Sequence, residues 1–208
     1  MTIDMSLNAA QSRTLAEVEL LVLRNVEASA SPPTEFEAAT LAEVMALPRV
    51  LVTRPPEDQL LKIGMRRNEC HANCAMQATN DTEGRSRHVT GWYVSASSLV
   101  LHSVAEIEGQ WFCLTPQIVR GPDQFEFVPD EAIEWRDAIN GMSREPYRKG
   151  ERLPETLRRY PDLEVQMSHV FRSLVASGMS IIAARDMVDV TFKQKLLDEQ
   201  ALQVDAVL

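Results

Sequence analysis

From Thr14 to Ala28, apolar residues recur at three- and four-residue steps (Leu15, Val18, Leu21, Val22, Val26), the spacing that lines one face of a helix. Ser31-Pro32-Pro33 ends that pattern. A second helical stretch runs from Thr34 to Leu47, with Phe36, Leu41, Val44 and Met45 apolar, and Pro48 closes it. After the loop marked by Arg54-Pro55-Pro56, Asn68-Glu69-Cys70 opens a third helix. Asn68 is the expected N-cap, and Glu69 suits the positive end of the helix dipole. The helix carries Ala72, Ala75, Met76 and Ala78 and fades in the polar run from Asn80 to Gly84.

The period then changes. Arg87 to Ser95 is rich in β-formers, and Leu99 to Ile107 is apolar on both alternating faces, as in a strand covered on both sides. Glu108-Gly109 reads as a two-residue turn into a strand from Gln110 to Thr115, and Gln124 to Val128 as another short strand. Helix returns from Leu163 to Ser177, ended by Gly178, and again from Ile181 to about Gln200, opened by Ser180. The last helix has apolar positions that fit packing on its own domain or on a second subunit. The expected fold is therefore α+β: a small antiparallel sheet behind a Cys-bearing helix, flanked by helices from both termini. Residues 1–60 form the N-terminal helical segment, 61–135 the α+β core and 136–208 the C-terminal helical segment, all in one compact domain.

Composition narrows the class. A 45% hydrophobic content supports a real core, and no apolar run is long enough to cross a bilayer, so no membrane association is expected. Met1 to Arg13 has no basic start followed by an apolar stretch, so no secretory leader is expected. The formal charge of −9 argues against nucleic-acid binding, which rests mainly on Lys and Arg. Three cysteines, Cys70, Cys74 and Cys113, are too few and odd in number for a disulfide scaffold, which points to a reducing, cytoplasmic setting. Oligomeric state stays open.

The chemistry lies in the core segment. A cysteine in the first turn of a helix meets unpaired backbone N–H groups and the positive dipole end, which lower a thiol pKa. If Glu108 and Gly109 are the turn, Ile107 faces Gln110 and His102 faces Thr115, with Cys113 and Gln117 diagonal to it. Nucleophile, base and orienting polar group are then all present: Cys70, His102, and Thr115 or Gln117. The N–H groups near Cys70 and His71 are candidates for stabilising an oxyanion.

The order of these elements resembles the transglutaminase-like branch of the papain-like cysteine enzymes. The match lies in Cys70 opening a helix, Gly91-Trp92 in the next strand, His102-Ser103-Val104-Ala105-Glu106, and Gly109-Gln110-Trp111-Phe112-Cys113-Leu114-Thr115-Pro116. It covers roughly residues 64 to 117. The resemblance implies Cys70 as nucleophile and His102 as base. It puts the family's aspartate at position 115, where this chain has Thr115, a hydroxyl that accepts an imidazole N–H but carries no negative charge.

The function expected is thiol-dependent acyl transfer on a protein or peptide amide, as protease, deamidase or transamidase, with no cofactor and no metal. Asn73 and Gln77, along the Cys70 face, and Trp92, as a groove wall, are candidates for substrate contact. Two alternatives use the same atoms. One is a catalytically degenerate protein that binds a partner through the groove. The other is a zinc-stabilised module held by Cys70, Cys74, His102 and Cys113. A dithiol redox role is weaker, because three residues separate Cys70 from Cys74.

Overall fold

A computed structural model describes residues 5–117, 121–139 and 143–205. In chain order the elements are α1 (Met5–Ser29), α2 (Glu35–Met45), β1 (Val50–Thr53), α3 (Glu57–Lys62), α4 (Cys70–Asn80), β2 (Ser86–Val94), β3 (Ser98–Ile107), β4 (Gln110–Phe112), β5 (Gln124–Pro129), β6 (Ile133–Asp137), β7 (Arg144–Arg148), β8 (Glu151–Arg152), β9 (Thr156–Arg158), α5 (Pro161–Ala176) and α6 (Ile181–Asp205). The fold is α+β. No helix among the described residues is long and apolar enough to cross a membrane.

The chain divides into two compact units, one formed by residues 1–34 with 160–208 and one by residues 35–159. Their boundaries differ from the 60 and 135 read off the sequence. In the first unit α1, α5 and α6 enclose a core of Val22, Tyr160, Leu163, Phe171, Ala184, Val188 and Phe192. The helical periodicity of the three segments accounts for this unit directly.

The second unit is built on a larger sheet than the sequence predicts. Its strands run β2-β5-β1-β4-β3-β9, and β2 also pairs with β3, so five of them close into a small barrel with β9 added at the edge of β3. All pairings are antiparallel except β1 with β4. Val52, Val89, Val104, Cys113, Phe125 and Phe127 fill its interior. β6, β7 and β8 form a separate three-stranded sheet. Residues 136–208, expected to be helical, therefore begin with strands. The Lys149-Gly150 turn between β7 and β8 takes φ of 51° and 87°, a conformation that suits a tight hairpin.

The β3–β4 hairpin has the predicted register. Glu108 and Gly109 both take positive φ, 51° and 80°, and Ile107 pairs with Gln110. The pairing then stops: β4 ends at Phe112, three residues earlier than expected, because the Cys113 N–H donates to the Thr53 carbonyl of β1. Farther along the same edge, β3 pairs with β9 from Ser98 to Val100. A gap in pairing remains at the middle of β3. The start of α4 fills it.

Candidate functional site

Where the hairpin ladder would continue, Ser103 would face Leu114. Side chains of α4 take up the unpaired groups instead. The Ser103 N–H lies near the Cys70 sulfur and the Leu114 N–H near the Cys74 sulfur, each favouring the thiolate, and the Asn73 amide donates to the Leu114 carbonyl at 3.0 Å. A helix start is thus set into the parted edge of a barrel strand, with Cys70 in the seam. Cys70 is half-buried, while Cys74 and Cys113 are buried; all three are free thiols.

Asn68 is not the cap. It takes a left-handed φ of 58° and donates its N–H to the Pro116 carbonyl, which leaves Glu69 as the N-cap and Cys70 as the first helical residue. The Cys70 thiol is correspondingly not acidified. Burial pushes its pKa up, and the N–H groups of Ser103, His71 and Cys70 itself only partly oppose that. The sequence expectation of a lowered value counted the helix start and missed the burial.

Strand alternation puts His102 on the opposite face of β3 from Ser103, in the barrel interior with Val104 and Cys113. His102 Nε2 lies 3.4 Å from Cys113 Sγ. The rings of Tyr93, Phe125 and Phe127 surround it, and Arg54 stacks over Phe125 at 5.0 Å. Burial first, then the positive neighbourhood of His71 and Arg54, pushes the imidazole down to about 3, so it is neutral at physiological pH.

Thr115 is buried, and its Oγ1 has no hydrogen-bond partner. Gln117 instead lines a cleft of about 760 Å³ with Arg54, Arg67, Pro116, Gly121 and Asp123. Neither supplies the polar partner of His102; Cys113 does. The sequence carried that signal, since Cys113 is diagonal to His102 in the predicted register.

Of the three substrate-contact candidates, two are engaged in the fold itself. Asn73 is buried and fully engaged, accepting from the Arg66 N–H and donating to the Arg66 and Leu114 carbonyls. Trp92 is completely buried and donates to Asp130, itself held by Arg148, so it belongs to the core and not to a groove wall. Gln77 is half-buried on α4. The four zinc candidates do not assemble either: His102 faces the barrel interior while Cys74 packs under α4 with Leu60, Met65 and Ala105. Among the described residues no three His, Cys, Asp or Glu side chains form a metal-binding group.

On the outer face lies an array the sequence reading missed. The buried Ser103 hydroxyl sits 2.7 Å from His71 Nδ1 and 2.7 Å from His88 Nε2. It has one proton to give, so one ring accepts it while the other donates its own N–H to the oxygen. His71 packs edge-on against Trp135, at 4.6 Å between ring centroids. Burial pushes His71 down to about 4 and lowers His88 as well. The β2–β3 register, with Thr90 opposite Ser103, puts His88 and Ser103 on one face. The sequence gives the strands but not that register. The chain matches no protein-family model, no curated protein and no solved structure.

Proposed function

We propose that this chain performs thiol-dependent acyl transfer on the amide of a protein or peptide, with Cys70 as nucleophile and His102 as base. One observation carries the reading: the first residue of α4 is a half-buried cysteine set into the seam of β3, its sulfur near the N–H of the residue that follows His102. Sγ attacks the carbonyl carbon while His102 takes the thiol proton. The C–N bond then breaks, and His102 returns that proton to the leaving amine. Water releases the acyl group as an acid; an amine releases it as a new amide. The N–H groups at the start of α4 and at Ser103 supply donors for the oxyanion. Cys113, in contact with Nε2, takes the orienting role that the sequence reading gave to Thr115 or Gln117. The resting pair is neutral, so the proton moves from Sγ to His102 as the thiol attacks. The reading belongs in the reducing cytoplasm, where all three thiols persist.

One observation favours a partner-binding protein without turnover. The neighbours of His102 are a thiol, aromatic rings and the positive Arg54, and the buried Thr115 hydroxyl is unpartnered. Both readings are tested by incubating the full chain with glutamine-containing peptides, with and without a primary amine, and separately with a peptidyl vinyl sulfone. Acyl transfer predicts ammonia or amide product, and an adduct on Cys70, both abolished in Cys70→Ala with the fold retained. Thr115→Asp, which supplies the carboxylate that the resemblance puts at this position, should raise turnover. Neither product nor Cys70 adduct in any of these would sink the acyl-transfer reading and leave the binding one.

A further inference from the structure

The last helix is apolar on two opposite faces. Ala184, Val188 and Phe192 of α6 are buried in the core of the first unit, and Ile181 and Leu196 pack beside them. About half a turn round the helix, Met187 is 47% exposed, Val190 78% and Leu197 47%. These follow Ala183 and bracket Gln194, and with Ala201 the outer row runs 183, 187, 190, 194, 197, 201. The steps alternate four and three without a break. That is the heptad seam of a coiled coil, with 187, 194 and 201 at a and 183, 190 and 197 at d. α1 also exposes Leu15, Val18 and Leu21, but that row ends at Arg24 and Asn25 and makes no heptad.

We infer that α6 pairs through this outer row with α6 of a second copy of the chain, as a parallel two-stranded coiled coil. Self-association follows from the row being its own complement under a two-fold axis along the helix. Charge selects the direction. Lys193 is at g and Asp198 at the following e, five residues on, so parallel in-register helices bring Lys193 of each copy to Asp198 of the other. An antiparallel pair centred on Gln194 would instead set Lys193 against Lys195 of the other copy and leave Asp198 facing Val190. Gln194, the one polar residue at a, fixes the register as buried amides do in such seams. In the single chain its Nε2 donates to Asp198 Oδ1 at 2.8 Å, a bond that pairing exchanges for one across the seam.

The row from 183 to 201 spans roughly 27 Å, too short for an isolated helix pair to be strong. Here the helix is already ordered by its inner face, so association does not have to meet the cost of forming it.

Sedimentation of the full chain from about 1 to about 100 μM should show a reversible monomer–dimer equilibrium. Val190→Asp should leave a monomer whose circular dichroism is unchanged. Lys193→Glu should weaken the dimer about tenfold, and adding Asp198→Lys should restore it. Gln194→Cys should form a disulfide between copies at position 194, located by peptide mapping. A monomer throughout, a dimer indifferent to Val190→Asp, or a position-194 cysteine that never cross-links overturns the inference.

Discussion

Single residues in the seam are held in their neutral forms, and that has a signed consequence. An imidazole titrates near 6.5 in the unfolded chain, but burial holds His71 at about 4 and His102 at about 3. Above pH 6.5 both states carry neutral rings, and the native site is fully stable. As pH falls below 6.5 the unfolded chain takes up protons first, so stability is lost progressively down toward the folded values. The loss is on the order of 1.4 kcal/mol per pH unit for each ring. Between pH 7 and 5.5 the urea midpoint should drop by an amount equivalent to roughly 3 kcal/mol, while most carboxylates still stay ionised. His102→Gln should remove about half of that slope. An unchanged midpoint would mean that the rings are hydrated and titrate normally. His88 shifts in the same direction and adds to the effect.

At the level of elements, the hairpin register was legible because it is local: Glu108-Gly109 fixes the turn, and alternation then places His102, Cys113 and Thr115. The parting of that hairpin was not legible, because its cause is distant. β1, a four-residue run between proline-marked loops, captures the Cys113 N–H. α4 then supplies side chains to the groups left over on β3 and Leu114. The strands from β6 to β9 escaped for another reason. They are short, rich in Arg and Glu and interrupted by Pro146 and Pro154, so no apolar alternation marks them. The order of a Cys-opened helix, a strand with Gly91-Trp92 and a His-bearing strand was legible from the residues. Gly91 faces His102 across β2 and β3, and a Cβ there would lie 2.1 Å from the Val128 carbonyl oxygen. The helix that replaces a ladder can be tested at Asn73. Asn73→Ala strands the part-buried Arg66 N–H and the buried Leu114 carbonyl, at a cost of about 2–4 kcal/mol. It should also raise the alkylation rate of Cys74 under native conditions, as α4 loosens from the seam. A loss below about 1 kcal/mol with Cys74 still protected would show that the sulfur contacts hold α4 unaided.

At the scale of the whole molecule, the proposed acyl-transfer site and the proposed pairing helix belong to different compact units. The unit of residues 35–159 contains the barrel, α4 and every residue proposed to act on substrate, together with apolar cores of its own. The unit formed from the two ends contributes a three-helix core and the heptad face of α6. Continuity in sequence makes the first of these a candidate for separation, since among the described residues no segment outside 35–159 adds a strand to its sheets. A chain of residues 35–159 alone should therefore unfold cooperatively in urea. It should keep the protection order of its thiols, with Cys70 alkylated ahead of Cys74 and Cys113, because those exposures arise within the unit. It should also sediment as a monomer at every concentration, because α6 is gone. If the fragment is unfolded, the ends are structural parts of the barrel unit and the division of labour fails. If it folds but still dimerises, the seam on α6 is not what joins two copies. A folded monomer with the native thiol pattern would place the acyl-transfer site and the pairing helix on separately folding parts of one chain, and each could then be altered without disturbing the other.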